Sequence, residues 1–143
     1  MKIHDVIRAK DSREIVTISP DASVRDLVAL LAEHNIGAVI VSGDGSAVDG
    51  IVSERDVVRK LRGDEGVLDA PVQQIMTASV QTVEPGQDVD SLMSLMTEHR
   101  IRHVPVIDDG NLVGVVSIGD VVKSRIMQLE FERDQLDSYL HQT

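Results

Sequence analysis

A repeat limits this chain more than any other feature does. Pro20, Val24, Leu27, His34 and Val41 return 65 residues later as Pro85, Val89, Leu92, His99 and Val106. Ser53 and Asp56 return after 64 residues as Ser117 and Asp120, so the second hairpin turn is expected to be one residue shorter. The 143 residues therefore hold two versions of one unit. A unit of roughly 60 residues buries too little surface to be comfortable alone. Two copies can bury their apolar faces against each other about a pseudo-two-fold axis. Such packing leaves clefts between the copies, related by the same axis.

Each unit reads strand, helix, strand, strand, helix, preceded in the first by a short helical lead-in at Val6-Ile7. Residues 15–18 form a β-type run stopped by Ser19-Pro20, because proline removes a ladder donor. Ser23 caps a helix whose apolar face is Val24, Leu27, Val28 and Leu31. It ends near His34-Asn35, with Gly37 in the loop that closes it. The wholly apolar stretch 38–41 predicts a strand buried on both faces. A turn at 42–46, a strand over 48–52, a helix over 54–61 and a linker at 62–66 complete the unit. In the second copy a strand is expected at 80–83. Next comes a helix capped by Asp88, with Val89, Leu92, Met93 and Met96 on one face. Strands follow at 104–107 and 112–116, on either side of the hairpin sequence Asp108-Asp109-Gly110-Asn111. The fold class is α/β of the α+β kind. Unit 1 spans 1–66, unit 2 spans 67–125, and a long C-terminal helix fills 126–143.

One Phe, one Tyr and no Trp leave Val, Ile, Leu, Met and Ala to build the core. The absence of cysteine excludes a disulfide scaffold, a thiolate zinc site and thiol catalysis. A net charge of −10 disfavours generic binding to nucleic acid or to an anionic membrane. No apolar run approaches the ~20 residues that span a bilayer, and Met1 to Asp5 does not open a signal peptide. A soluble cytoplasmic protein is the expectation.

The candidate chemistry lies in Gly50-Ile51-Val52-Ser53-Glu54-Arg55-Asp56 and its second version, Gly114-Val115-Val116-Ser117-Ile118-Gly119-Asp120. Each places a hydroxyl and a carboxylate three residues apart at a helix start. Such a pair suits a phosphate and a ribose diol, through the helix N-terminus and charge-assisted hydrogen bonds. It also suits a capping box, although the usual acidic partner there is Glu or Gln rather than Asp. The copies differ around it. Arg55 stands where the second copy has Gly119, and Arg102-His103 stand where the first has Gly37-Ala38. Arg102 can grip a phosphate with two donors; as a bland alternative it pairs with one of the 24 acids. His34 and His99 suit the carbonyl ends of their helices better than a metal or general-base role. No nucleophile pairs with the carboxylates, and there is no Walker loop or dinucleotide-fold glycine fingerprint. An enzyme is not expected, and no metal site.

With Glu98-His99-Arg100-Ile101-Arg102-His103-Val104-Pro105-Val106, Gln74-Ile75-Met76-Thr77 and the two Gly-x-x-Ser-x-x-Asp phrases, the chain resembles a tandem pair of cystathionine-β-synthase-type (CBS) domains, the Bateman module. Its phrasing is similar to stand-alone two-CBS proteins of bacteria and plant organelles. The resemblance implies a regulatory module whose clefts bind adenosyl compounds, AMP or NAD(H) first, with ATP, ADP or S-adenosylmethionine also compatible. It implies no obligatory cofactor. Ser53 and Ser117 would meet phosphate, and Asp56 and Asp120 the ribose. Gly37, Ala38, Arg102 and His103 would form the cleft wall, with Arg55 beside it. Thr17 and Thr82 would lie near the adenine or ribose, and the backbone around Pro105 would line the adenine. It also implies an unidentified regulated protein as partner. The alternative is a ligand-free interaction scaffold whose motifs are only caps.

From Val122 the tail repeats apolar positions in steps of four and three: Val122, Ile126, Leu129, Arg133, Leu136 and Leu140. A helix from Ile118 to Leu140 would run about 35 Å, too long for one unit to cover. It packs on its own module or serves a homodimer.

Overall fold

The computed structural model describes residues 1–10 and 14–141. In the first unit, β1 (Thr17–Ile18), α2 (Val24–His34), β2 (Ala38–Val41), β3 (Gly50–Ser53) and α3 (Glu54–Leu61) follow the lead-in helix α1 (Ile3–Arg8). β2 is the centre of a three-stranded sheet, parallel to β1 and antiparallel to β3. The second unit contains α4 (Val89–His99), β4 (His103–Asp108), β5 (Asn111–Ser117) and α5 (Ile118–Leu140). Its expected first strand at 80–83 is reduced to one parallel bridge between Val83 and Val106. Gln81 and Thr82 are exposed there and only Val83 is buried, so little besides Val83 anchors a strand. The expected linker at 62–66 runs into a 3-10 turn over Glu65–Asp69, and a second such turn follows over Val72–Gln74.

The helices begin largely where their hydroxyls place them. Ser23 Oγ accepts the Asp26 N–H at 3.1 Å. Asp88 sits at the N-cap of α4 without a side-chain capping bond, because its carboxylate accepts from Lys2 Nζ at 2.8 Å instead. Both α2 and α4 end on a left-handed residue, Asn35 (φ 52°) and Arg100 (φ 54°). Asn35, not Gly37, thus turns the chain out of α2. The β4–β5 loop is Asp109-Gly110, both at positive φ (52° and 80°), as a two-residue hairpin of the I′ kind requires. The longer β2–β3 loop is tied by Asp44, whose Oδ1 accepts the Ser46 and Ala47 amides at 2.8 Å each.

Two cores sit side by side, and each is completed from outside its own stretch of sequence. Leu27, Leu31, Val39, Val41 and Val52 pack with Val72 and Ile75. Leu92, Met96, Val104, Val106 and Val116 pack with Ile3 and Val6 of α1. The backbone bonds match across the pseudo-axis. Ile3 N–H donates to Gln87 O (2.9 Å) and His4 N–H to Pro85 O (3.0 Å), as Val72 N–H does to Ala22 O (2.8 Å) and Gln73 N–H to Pro20 O (3.1 Å). The segments before the two units are thus exchanged. Full burial of a leucine such as Leu27 or Leu92 contributes about 2 kcal/mol. Val28, expected on the buried face of α2, stays 42% exposed, because Val24, Leu27 and Leu31 already fill the core side.

Only Val121 and Ser124 of α5 are buried, and residues 129–141 are exposed throughout. The chain's single Phe and single Tyr, Phe131 and Tyr139, both lie on this protruding part, 62% and 72% exposed.

Candidate functional site

Both motifs stand where a strand runs into a helix. At the β3–α3 junction, Asp56 Oδ2 accepts the Ser53 N–H at 2.8 Å and the Ser53 hydroxyl at 3.0 Å, while Ser53 Oγ accepts the Asp56 N–H at 3.3 Å. At the β5–α5 junction, Asp120 Oδ2 accepts the Ser117 N–H at 2.9 Å and Ser117 Oγ accepts the Asp120 N–H at 3.1 Å. Aspartate closes a reciprocal capping box here, so the capping reading is realised in both copies. These carboxylate contacts fall on Oδ2. The Glu54 N–H donates to Gly37 O at 2.9 Å and the Ile118 N–H to Arg102 O at 2.8 Å. Each motif helix is thereby fastened to the wall residue that the sequence set across from it.

A cleft opens at each motif. The first, about 310 Å³, is lined by Ser53, Glu54, Arg55, Asp56, Arg59 and Thr77, and from the other unit by Arg100, Ile101, Arg102 and His103. The second, about 350 Å³, holds Ser117 and Asp120 against the apolar strip from Ile36 to Ile40, with Val16 and Val113 to Val115. Gly37, Ala38 and His103 line both, so one wall separates the two cavities. Thr17, Thr82 and Pro105 line neither: Thr17 pairs with Ile40 in the sheet, Thr82 is exposed, and Pro105 is buried with its carbonyl accepting from Val83 N–H.

The charge is unequal, and more concentrated than the sequence suggested. Arg55 and Arg102 meet in the first cleft together with Arg59 and Arg100. Among the described residues these four guanidinium groups make no ion pair. The second cleft sets one cation, Lys10, against two carboxylates, Asp120 and Glu14. Lys10 Nζ lies 3.0 Å from Asp120 Oδ2 and donates to Val115 O at 2.6 Å, with the two side chains 27% and 24% exposed. Burial pushes the Asp120 carboxyl up, but the Ser117 N–H and the Lys10 ammonium outweigh it and hold its pKa below the ordinary value. Burial pushes His103 below its ordinary value. Asp120 and Glu54, one from each cleft, pull it up, while Lys10 and Arg102 push it down.

Sequence reasoning missed Lys10, Arg59 and Arg100. Arg59 follows Asp56 by three and shares its helix face. Arg100 stands at the counterpart of Asn35, a position that the repeat alone identifies. Lys10 gave no local signal, since it reaches the second cleft only through the exchange of α1. Among the described residues no group of His, Asp and Glu is placed to hold a metal ion. Nor is any described helix long and apolar enough to cross a membrane.

The sequence matches the CBS domain twice, over residues 4–63 and 72–126. The chain belongs to the CBS-domain family. It is 37% identical to the mitochondrial CBS domain-containing protein CBSX3 of Arabidopsis thaliana, over 96% of this chain and 71% of that one. A CBS-domain structure from Burkholderia ambifaria superposes with a TM-score of 0.83 at 45% identity, covering 89% of this chain and 95% of that chain. A CBS-domain pair determined in complex with 5′-methylthioadenosine and S-adenosyl-L-methionine superposes with a TM-score of 0.76 at 25% identity, covering 89% and 99%. The two packed units with their long last helix are therefore the fold of a CBS pair, and adenosyl ligands occur among its structural relatives.

Proposed function

We propose that the two clefts bind adenosyl nucleotides and that this CBS pair is a non-catalytic sensor, acting in the cytoplasm, that reports their occupancy to a separate protein. The observation that carries this reading is the pair of Ser-Asp helix starts opening on clefts either side of one shared wall. A phosphate settles at a helix N-terminus, and a ribose diol suits a carboxylate whose capping bonds use only one oxygen. Four guanidinium groups fit the first cleft to a phosphorylated ligand such as AMP, ADP or ATP. The apolar strip and single ammonium of the second fit an adenosyl compound with less phosphate exposed there, NAD(H) or S-adenosylmethionine among them. A ligand that binds one angle between the units better than another shifts their arrangement, and the partner reads that shift. The uncovered end of α5 supports self-association as a homodimer.

The test is calorimetry with AMP and NADH on Asp56→Ala, Asp120→Ala and the double variant. Loss of a charge-assisted hydrogen bond of about 1.5–3 kcal/mol corresponds to roughly 10- to 100-fold weaker binding per cleft. Unchanged affinity in the double variant would refute the site. The closed capping boxes favour a second reading, an interaction scaffold with empty clefts. A native-state ligand must raise the melting temperature by mass action. No shift with any adenosyl compound would leave the scaffold standing.

A further inference from the structure

We propose that the exposed half of α5 pairs with the same helix of a second copy, antiparallel, and that Arg133 sets that direction. The inference rests on the self-association reading above and specifies its geometry.

The stripe Val122, Ile126, Leu129, Arg133, Leu136, Leu140 alternates steps of four and three over about 27 Å of helix. Its five apolar members are all roughly half exposed or more, and none is buried. Arg133 interrupts the stripe with its guanidinium on the neighbouring Asp134 (3.1 Å). In a parallel pair in register, each stripe residue faces its own copy. Two Arg133 side chains would then oppose each other inside the seam. Reversing one helix removes that clash. Val122 then faces Leu140 of the second copy, Ile126 faces Leu136, and Leu129 faces Arg133. The two arginines lie in different layers, each beside Glu130 of the other helix.

The flanking charges balance in either direction. Lys123 and Arg125, the latter also bound to Asp90 at 2.7 Å, border the root of the stripe, whereas Glu130, Glu132 and Asp137 border its outer half. Antiparallel pairing sets Lys123 beside Asp137 of the second copy, but also sets Glu130 and Glu132 each opposite its own counterpart. Parallel pairing sets Glu132 beside Asp137 but Arg125 beside Glu130, so the direction is set by Arg133 and not by the flanks. One charged residue in an apolar seam is a known means of fixing register and oligomer state at some loss of stability, and here the avoided contact between two Arg133 side chains adds direction. Tyr139 falls on the flank of this seam, and Phe131 stays on its outer face.

The chain has no cysteine, so introduced thiols report only on the positions chosen. Ile126→Cys and Leu136→Cys full-length chains are purified separately, oxidised alone and as a mixture, and resolved on a non-reducing gel. Sedimentation gives the oligomeric state. The expected result is a disulfide joining one chain of each kind, with at least tenfold less self-linking of either variant. Self-linking of each variant alone would overturn the proposal in favour of a parallel pair. A dimer by sedimentation with no cross-link in any sample would also overturn it, placing the contact elsewhere. A monomer would instead remove the self-association reading on which it rests. Arg133→Leu in the Leu136→Cys chain is expected to raise self-linking severalfold, as the constraint on direction is lost. An unchanged pattern would overturn the role given to Arg133.

Discussion

Gly50 and Gly114 occupy the same place in the two units, yet the same substitution should not cost the same at both. A methyl on Gly50 would meet Met76 Sδ at 2.5 Å and the Thr77 carbonyl oxygen at 2.9 Å. The methionine can swing away; the carbonyl cannot. It accepts the Ile51 N–H at 3.0 Å while the Thr77 N–H donates back to Ile51 O at 2.8 Å, so retreat breaks the bridge that seats the exchanged segment. At Gly114 the first contact is Ile7 Cδ1 at 3.3 Å, the end of a side chain that can give. Overpacking against fixed backbone costs about 1–3 kcal/mol, and replacing a strand glycine returns about 0.5–1 kcal/mol. Gly50→Ala should therefore lose about 1–2 kcal/mol, whereas Gly114→Ala should stay within ~0.5 kcal/mol of the parent. For a domain of this size that separates the two melting temperatures by about 3–6 °C. Thermal and urea unfolding of the two variants measure it. Equal shifts would refute the argument. Adding Met76→Ala to Gly50→Ala should recover only part of the loss. Full recovery would mean that the Thr77 carbonyl is not the obstacle.

Arg100 holds a left-handed backbone (φ 54°) where its counterpart is an asparagine, a residue that tolerates that region better. Arg100→Asn should raise stability by about 0.5–1 kcal/mol while weakening a phosphorylated ligand of the first cleft, read by melting and calorimetry. A destabilised variant would contradict the strain. His103 titrates below its ordinary 6.5, so the unfolded chain binds the proton first as the pH falls past that value. Its share of stability is present above pH 6.5 and lost through its folded pKa, and His103→Gln should flatten that limb of a stability–pH profile. Asp120 is held below 3.8, so its contribution is present above that pH and declines as the pH falls through its folded pKa. Asp120→Asn should flatten the acid limb, and a variant as acid-sensitive as the parent would contradict the Lys10 pairing.

What the sequence made legible is what neighbouring residues decide. The repeat, the caps at Ser23, Ser53 and Ser117, the apolar strand over 38–41 and the Asp109-Gly110 turn follow from spacing and side-chain chemistry within a few positions. The whole of α5 was legible too, because its stripe continues from the motif into the tail. The misses are long-range. Asp88 looked like a capping residue until Lys2 arrived from 86 positions away to take its carboxylate. The strand expected at 80–83 pairs at Val83 only, which depends on what lies beside β4 rather than on its own valines. In the site, the unequal distribution of cations was readable by aligning the two copies. That Arg55 and Arg102 enter one cleft was not, since it depends on how the units face each other. Lys10 beside Asp120 was hidden for the same reason, as it belongs to one unit by sequence and to the other by packing.

That crossed allegiance has a consequence for how such a chain can arise and be divided. A solitary unit would lack the plug that Val72 and Ile75 supply to one core and Ile3 and Val6 to the other. Two solitary units could complete each other only by trading those plugs, as a swapped pair of identical chains. Joining them head to tail turns a bimolecular encounter into an internal one, at an effective concentration on the order of millimolar. The exposed turn around Gly63 is then a tether rather than a hinge. A cut there would yield two fragments, neither complete, each carrying the piece that the other needs.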